Sequence, residues 1–481
     1  MIEAVLFDLG DTLLHFETDQ ARRFLESATR PAYDRLVELG FRLPDYKVYF
    51  RAIKRRFLRA YLWSRLTRRE AKLFDAFHKL HHRMGIDIAP LDAGRLDGYP
   101  GVVVDALLGT GARGAPTGSV RTAVRAIGSA AGPVVSLDVP SGVDADTGRI
   151  DGDAVRADLT VTFHGDKVGL HVAPGRAAAG EVVVADIGIP PVVRMEHAAW
   201  RVGPGAARAV PAKSDSGEKY GAGAVLVVAG SPGLIGAGCL AARATLRAGA
   251  GLAVAAVPRA VRPEVAAHLL EVMTAGIPDE NGVFGPTSMS AVLAEARRVG
   301  VVALGPGLGR ATPTTVFVRD LLARLALPVV VDADGLWHLG DSPRWLADRT
   351  APTILTPHAG EAARLLGARR GEVERDRLAC AMRLSTATGS VVVLKGPGTI
   401  TAAPDGRLAV NDTGGPELSS AGTGDVLTGI VAAFLAKGME PFVAAAAAVA
   451  VHGLAARCAG RGDGTVAGDV IEALPEVLTA A

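Results

Sequence analysis

From about residue 91 onward, apolar and polar positions follow two alternating habits. Short β-branched runs end in Gly, Pro or Asp: GVVVDALL, PVVSLDVP, LTVTFHG and EVVVADIG, then AVLVVAGS, GLAVAAVP, VGVVALGPG, LPVVVDAD, PTILTPH and SVVVLKGPG. Stretches with helical spacing separate them. Continuous apolar runs of this length predict strands buried on both faces of parallel sheets covered by helices. Such sheets bind ligands in the loops that leave the strands' carboxyl ends. The Ala-rich window at 443–456 is too short for a bilayer and predicts a buried helix. Residues 1–90 follow neither habit. They hold more than half of the aromatic residues and a basic run at 54–70, read as a solvated helix face. A Gly-, Ala-, Pro- and charge-rich stretch at 200–218 reads as a linker. The pattern therefore predicts an α/β protein in three segments: 1–90, 91–200 and 201–481.

Composition adds exclusions. The chain has 481 residues, 52 basic against 50 acidic, which points to neither nucleic acid nor membrane as a partner. Cys239, Cys380 and Cys458 lie far apart and match no metal or redox spacing, so all three are expected as buried small hydrophobes in a reducing compartment. The first residues carry acids inside their apolar stretch, unlike a signal peptide, and the expected location is the cytoplasm.

The candidate chemistry lies in the strand-end loops. Gly422, Thr423, Gly424 and Asp425 stand directly before an apolar helical run. Free amides at a helix start bind anions, and glycines let a phosphate approach the backbone. A carboxylate there has a use if it takes a proton; the alternative is an Asp N-cap with glycines for the turn. Asp332 and Asp334 either end a strand or act directly. His358 precedes a helix start and could be a capping or a packing histidine. In the middle segment, GTGARG at 109–114 with Asp138 downstream is close to a dinucleotide fingerprint.

Together and in order, GPGLG (305–309), DADGL (332–336), TPHAGE (356–361), KGPGT (395–399) and NDTGGPELSSAGTGD (411–425) resemble the ADP- or ATP-dependent NAD(P)H-hydrate dehydratases. That resemblance implies a ribokinase-like domain, a mostly parallel sheet with helices on both faces, that assembles as a homo-oligomer. It also implies removal of water from the hydrated nicotinamide ring of NADHX or NADPHX. Asp425 would be the base, and Gly422, Thr423 and Gly424 the anion hole. Lys395, Gly396, Pro397, Gly398 and Thr399, with Gly424, would hold ADP or ATP with Mg²⁺. Ala237, Gly307 or Gly309, His358 and Asp425 would line the hydrate site. Rival readings are a ribokinase-like small-molecule kinase and a nucleotide-binding protein without activity.

The flanks of GTGARG, with SLDVPSGVDADTG and ADLTVTFHGDKVGL, resemble the carboxyl half of NAD(P)H-hydrate epimerases, a partial Rossmann-like domain. By that resemblance Gly109, Thr110, Gly111, Ala112, Arg113, Gly114, Ala115 and Asp138 contact the hydrate, and Asp105 and Ser141 hold K⁺. Nothing in 1–90 matches the family's amino-terminal half, so epimerase activity is expected to be lost. Instead VLFDLGDTLL (5–14) resembles the first motif of haloacid dehalogenase-like hydrolases, with Asp8 as nucleophile and a helical cap fragment after it. Gly10 stands where that family has a second acid.

Overall fold

The computed structural model describes residue 30 and residues 44–52, 96–186, 199–213 and 221–480. The phosphatase-like motif around Asp8 and the basic run at 54–70 lie outside these. The described chain divides into two compact units, with residues 171–173 counted in the second.

In the first unit, β1 (Val103–Asp105), β2 (Val134–Leu137), β3 (Leu159–Phe163) and β4 (Glu181–Ala185) form a four-stranded sheet in that order, all parallel. Helix α1 (Gly118–Ile127) connects β1 to β2. Val124 and Ile127 on α1 pack with Leu96, Val103 and Val134, which closes this end of the sheet.

The second unit is built on ten strands: β5 (Trp200–Val202), β6 (Ala224–Val228), β7 (Leu252–Pro258), β8 (Met273–Ile277), β9 (Val301–Leu304), β10 (Val329–Val331), β11 (Thr353–Leu355), β12 (Val391–Leu394), β13 (Ile400–Ala402) and β14 (Leu408–Asn411). Their order across the sheet is β5-β14-β13-β12-β11-β10-β9-β6-β7-β8. Pairing is parallel except where β13 runs against β12 and β14. Both side-chain parities of these strands are buried. Val225, Val227, Val301 and Ala303 belong to a cluster with α2 (Ile235–Arg247) and three later helices, while Leu226, Val228, Val302 and Leu304 are fully buried on the opposite face. Two-sided burial explains why these strands read as unbroken apolar runs.

Helix α3 (Ala359–Leu366) follows β11, and α4 (Arg377–Thr388) packs on β12 and β13. Helices α5 (Thr423–Ala436), α6 (Pro441–Ala459) and α7 (Ala467–Thr479) complete the cluster with α2. With 19 residues, α6 exceeds the expected window and is long and apolar enough to cross a membrane, yet most of it is buried in this domain.

Two expectations fail. The stretch read as a linker contains β5, which pairs in parallel with β14. Three residues with a central Arg carry no periodic signal, so the strand exists because β14 offers an edge. Cys458 is exposed, unlike the buried Cys239 and Cys380, because it lies in the last turn of α6, where the helix leaves the core.

Candidate active site

The sheet order makes β12, β11, β10, β9 and β6 neighbours, all parallel, so their carboxyl-terminal loops lie side by side. Most of the expected residues fall there. The centre is Asp332, just past β10 and 1% exposed. One carboxylate oxygen accepts a hydrogen bond from Lys395 Nζ at 2.7 Å, the other from Thr428 Oγ1 at 2.7 Å. A buried charge needs partners, and here both Asp332 oxygens have them.

Lys395 is half-buried, which alone would favour its neutral form, but Asp332, Glu361 and Asp425 outweigh that and raise its pKa. It therefore stays a cation among three carboxylates. Its amide donates to the Pro357 carbonyl at 2.9 Å, pinning KGPGT against TPHAGE. Thr399 Oγ1 donates to the Gly396 carbonyl at 2.9 Å and closes the turn; Gly396 and Pro397 are exposed, Gly398 is buried. Beneath it, buried Arg377 donates to the Leu394 carbonyl at 3.1 Å.

Asp425 is the third residue of α5, and the N-cap is Gly422 at φ +88°, left-handed backbone that favours glycine. The Asp N-cap alternative is thus not what forms. The Asp425 carboxylate is half-buried and accepts no hydrogen bond among the described residues. Burial and the neighbouring Asp332 push its pKa up to about 7, with Lys395 pulling the other way. A Cβ at Gly424 would lie 3.4 Å from Lys395 Nζ, so this helix start and Lys395 face one small space. The Thr423 hydroxyl is turned inward to the Leu418 and Ser420 carbonyls, leaving only its backbone for an anion.

His358 does cap a helix. Its Nδ1 accepts from the Gly360 and Glu361 amides at 3.0 and 3.2 Å, while Glu361 returns a bond to the His358 amide at 2.8 Å. An accepting Nδ1 leaves Nε2 as the protonated nitrogen, on a side chain that is largely exposed. Capping and ligand contact are therefore compatible. Glu361, whose pKa burial raises, was not singled out in the sequence. Across the site, a Cβ at Gly307 would lie 3.3 Å from Ala237 Cβ and one at Gly309 3.2 Å from Ser231 Oγ, so these residues share one surface. Asp334 holds that loop by accepting from the Gly309 amide at 3.0 Å.

In the first unit, Asp105 is fully buried and accepts from Ser136 Oγ, the Ser141 amide and Ser141 Oγ at 2.6–2.9 Å. The pair expected to bind K⁺ is thus together, but K⁺ would have to share oxygens already engaged. Asp138 has φ +70°, a strained backbone for a non-glycine residue. It accepts from the Thr110 amide at 3.2 Å and pairs with Lys167 Nζ at 2.8 Å. The loop from Gly109 to Ala115 is largely exposed beside it. Its Arg113 is drawn off toward Asp144 and Asp146. Lys167 was missed; a single Lys in HGDKVGL carries no spacing signal of its own.

Residues 225–475 match the family model described as NAD(P)H-hydrate dehydratase, and residues 58–169 that described as YjeF-related protein N-terminus. The bifunctional NAD(P)H-hydrate repair enzyme of Moorella thermoacetica is 43% identical over 392 residues, covering 79% of this chain and 73% of that one. The Mycobacterium tuberculosis protein of the same name is 38% identical over 346 residues, covering 72% and 67%. The Bacillus subtilis ADP/ATP-dependent NAD(P)H-hydrate dehydratase co-crystallized with ATP/Mg²⁺ superposes with a TM-score of 0.50 at 28% identity, over 60% of this chain and 99% of that one. A ribokinase-like superfamily protein of Enterococcus faecalis, at 23% identity and TM-score 0.51, supports the fold alone.

These findings correct two expectations. The YjeF-related match starts at residue 58, inside the segment assigned to a haloacid dehalogenase-like fragment, and that fragment gains no support. The relatives are bifunctional by name, so the expected loss of epimerase activity is not borne out. The chain belongs to the family of bifunctional NAD(P)H-hydrate repair enzymes, and its carboxyl-terminal part is their NAD(P)H-hydrate dehydratase domain.

Proposed function

We propose that the carboxyl-terminal domain returns NADHX and NADPHX to NADH and NADPH by phosphorylating the ring hydroxyl with ADP or ATP. Asp425 takes the hydroxyl proton, and the oxygen attacks the terminal phosphoryl group of the nucleotide. Phosphate then leaves with the carbon–oxygen bond, and loss of a ring proton restores the double bond. The amides of Gly422, Thr423 and Gly424 meet the phosphoryl oxygens, and Lys395 offsets the charge that develops on them. Lys395 to Thr399 hold the nucleotide; Ala237, Gly307, Gly309 and His358 hold the hydrate. The described residues contain no group of three or more metal-ligating side chains, so Mg²⁺ would be held chiefly by phosphate oxygens and water.

The observation that carries this reading is Asp425: a carboxylate without hydrogen bonds among the described residues, held near pKa 7 at a glycine-rich helix start and facing a lysine. A base poised near neutrality is what proton abstraction from a hydroxyl requires. The test is recovery of the reduced nicotinamide absorbance from NADHX with ATP or ADP. Asp425→Asn should lower it by about 10²–10⁴-fold; unchanged turnover sinks the assignment of the base. A stable phosphorylated product in place of free phosphate would favour the small-molecule kinase.

A second reading concerns the first unit, which we infer epimerises the hydrate. The strained Asp138, salt-bridged to Lys167 beside the Gly109–Ala115 loop, favours it, since an acid and a base in contact suit proton exchange at one carbon.

A further inference from the structure

One cluster beside the dehydratase site has no part in the scheme above. Arg310 follows Gly309, the last residue of the loop read as holding the hydrate. Its Nε donates to Asp334 Oδ1 at 3.1 Å, while the other Asp334 oxygen holds the Gly309 amide. The side chain is 65% exposed, and among the described residues its two terminal nitrogens donate no hydrogen bond. The Arg310 guanidinium lies 5.7 Å from the centroid of the Trp337 ring, and that of Arg364 lies 5.8 Å from the same ring. Trp337 is itself partly exposed. The two cations are close enough for Arg310 to add to the burial that lowers Arg364's pKa.

The two guanidiniums repel each other across the indole, although Asp334 beside Arg310 and Asp341, 3.6 Å from Arg364, offset part of this. An arrangement held by Asp334 on Arg310 and by the Leu336 carbonyl and Asp341 on Arg364, with the terminal nitrogens of Arg310 left over, is suited to an anionic phosphate. The substrate implied next door carries phosphates along its length. We propose that Arg310 and Arg364, flanking Trp337, form a subsite for a phosphate group of the dinucleotide hydrate. This rests on the reading of Gly307 and Gly309 as hydrate contacts.

The test measures binding of the products NADPH and NADH to the full chain by calorimetry, with a non-hydrolysable ATP analogue filling the nucleotide site. Arg310→Ala should weaken product binding about tenfold, the worth of one charge-assisted contact, and Arg310→Lys should restore part of it. Loss for NADPH alone assigns the subsite to the 2′-phosphate; equal loss for both assigns it to the pyrophosphate. Either outcome supports the subsite. Unchanged binding of both products overturns it, as does equal weakening of the ATP analogue, which would report a disturbed domain. A wild type that binds NADPH but does not convert NADPHX sinks the dehydration reading and leaves the subsite standing. A wild type that converts it, with Arg310→Ala binding as tightly, sinks the subsite alone.

Discussion

At the residue scale, Asp425, as the proposed base, ties activity and stability to one proton. Its raised pKa means the folded state binds more protons than the unfolded chain between pH 3.8 and about 7. Stability from this group is complete at low pH and falls as pH rises through that window, while the fraction of active base rises. Turnover should climb through about pH 7 and level off. Asp425→Asn should be more stable than wild type by roughly 1–3 kcal/mol at pH 8 in denaturant melts, and no more stable near pH 4. His452 has the opposite sign. Burial pushes its pKa down to about 4, against the nearby Thr423 backbone, which raises it, and among the described residues its Nε2 has no partner. The unfolded chain binds the extra proton between pH 6.5 and about 4, so stability falls as pH drops through that range. His452→Gln should flatten this slope, removing about 1–3 kcal/mol of acid sensitivity. Asp425 and Lys395 were legible because glycines and a strand end flank them. Glu361, Thr428 and Arg377 were not, because a single polar residue in a helix has no pattern until the fold brings its partner near.

Elements were legible where burial on both faces forced continuous apolar runs: all ten predicted strands form. The four that were missed, β5, β8, β13 and β14, lie at or near the sheet edges and include Arg, Thr, Gly or Asn, so pairing with a neighbour rather than composition makes them strands. The helix carrying Asp425 was legible, but its tight crossing with α2 was not. A Cβ at Gly429 would overlap the Ala241 carbonyl and lie 2.9 Å from Ala244 Cβ and 3.0 Å from the Thr245 amide. Backbones that close leave no room for a methyl group. Gly429→Ala should therefore cost about 1–3 kcal/mol, read as a lower urea midpoint at unchanged m-value, despite alanine's better helix propensity. It should also lower turnover, because the displaced helix begins at the proposed anion hole.

At the scale of the whole molecule, the order of two family domains in one chain was only half legible. The dehydratase loops are bound to strand ends and so sit at fixed places in a periodic pattern. Segment 1–90 has no such frame, and the match beginning at residue 58 rests on similarity that periodicity does not expose. The consequence for function is testable on a substrate containing both epimers of NADHX. A dehydratase alone consumes one epimer and stops, or slows to the rate of uncatalysed epimerisation. If the first unit interconverts the epimers, wild-type chain with excess ATP should run to completion in a single phase. Asp138→Ala, which also removes the partner of Lys167, should give a fast phase limited to one epimer and a slow remainder, with the fast rate unchanged because Asp425 and its loops lie in the other unit. Added Asp425→Asn protein should rescue the slow phase, since that variant keeps the first unit intact. If wild type and Asp138→Ala show the same two phases, the first unit does not epimerise the hydrate.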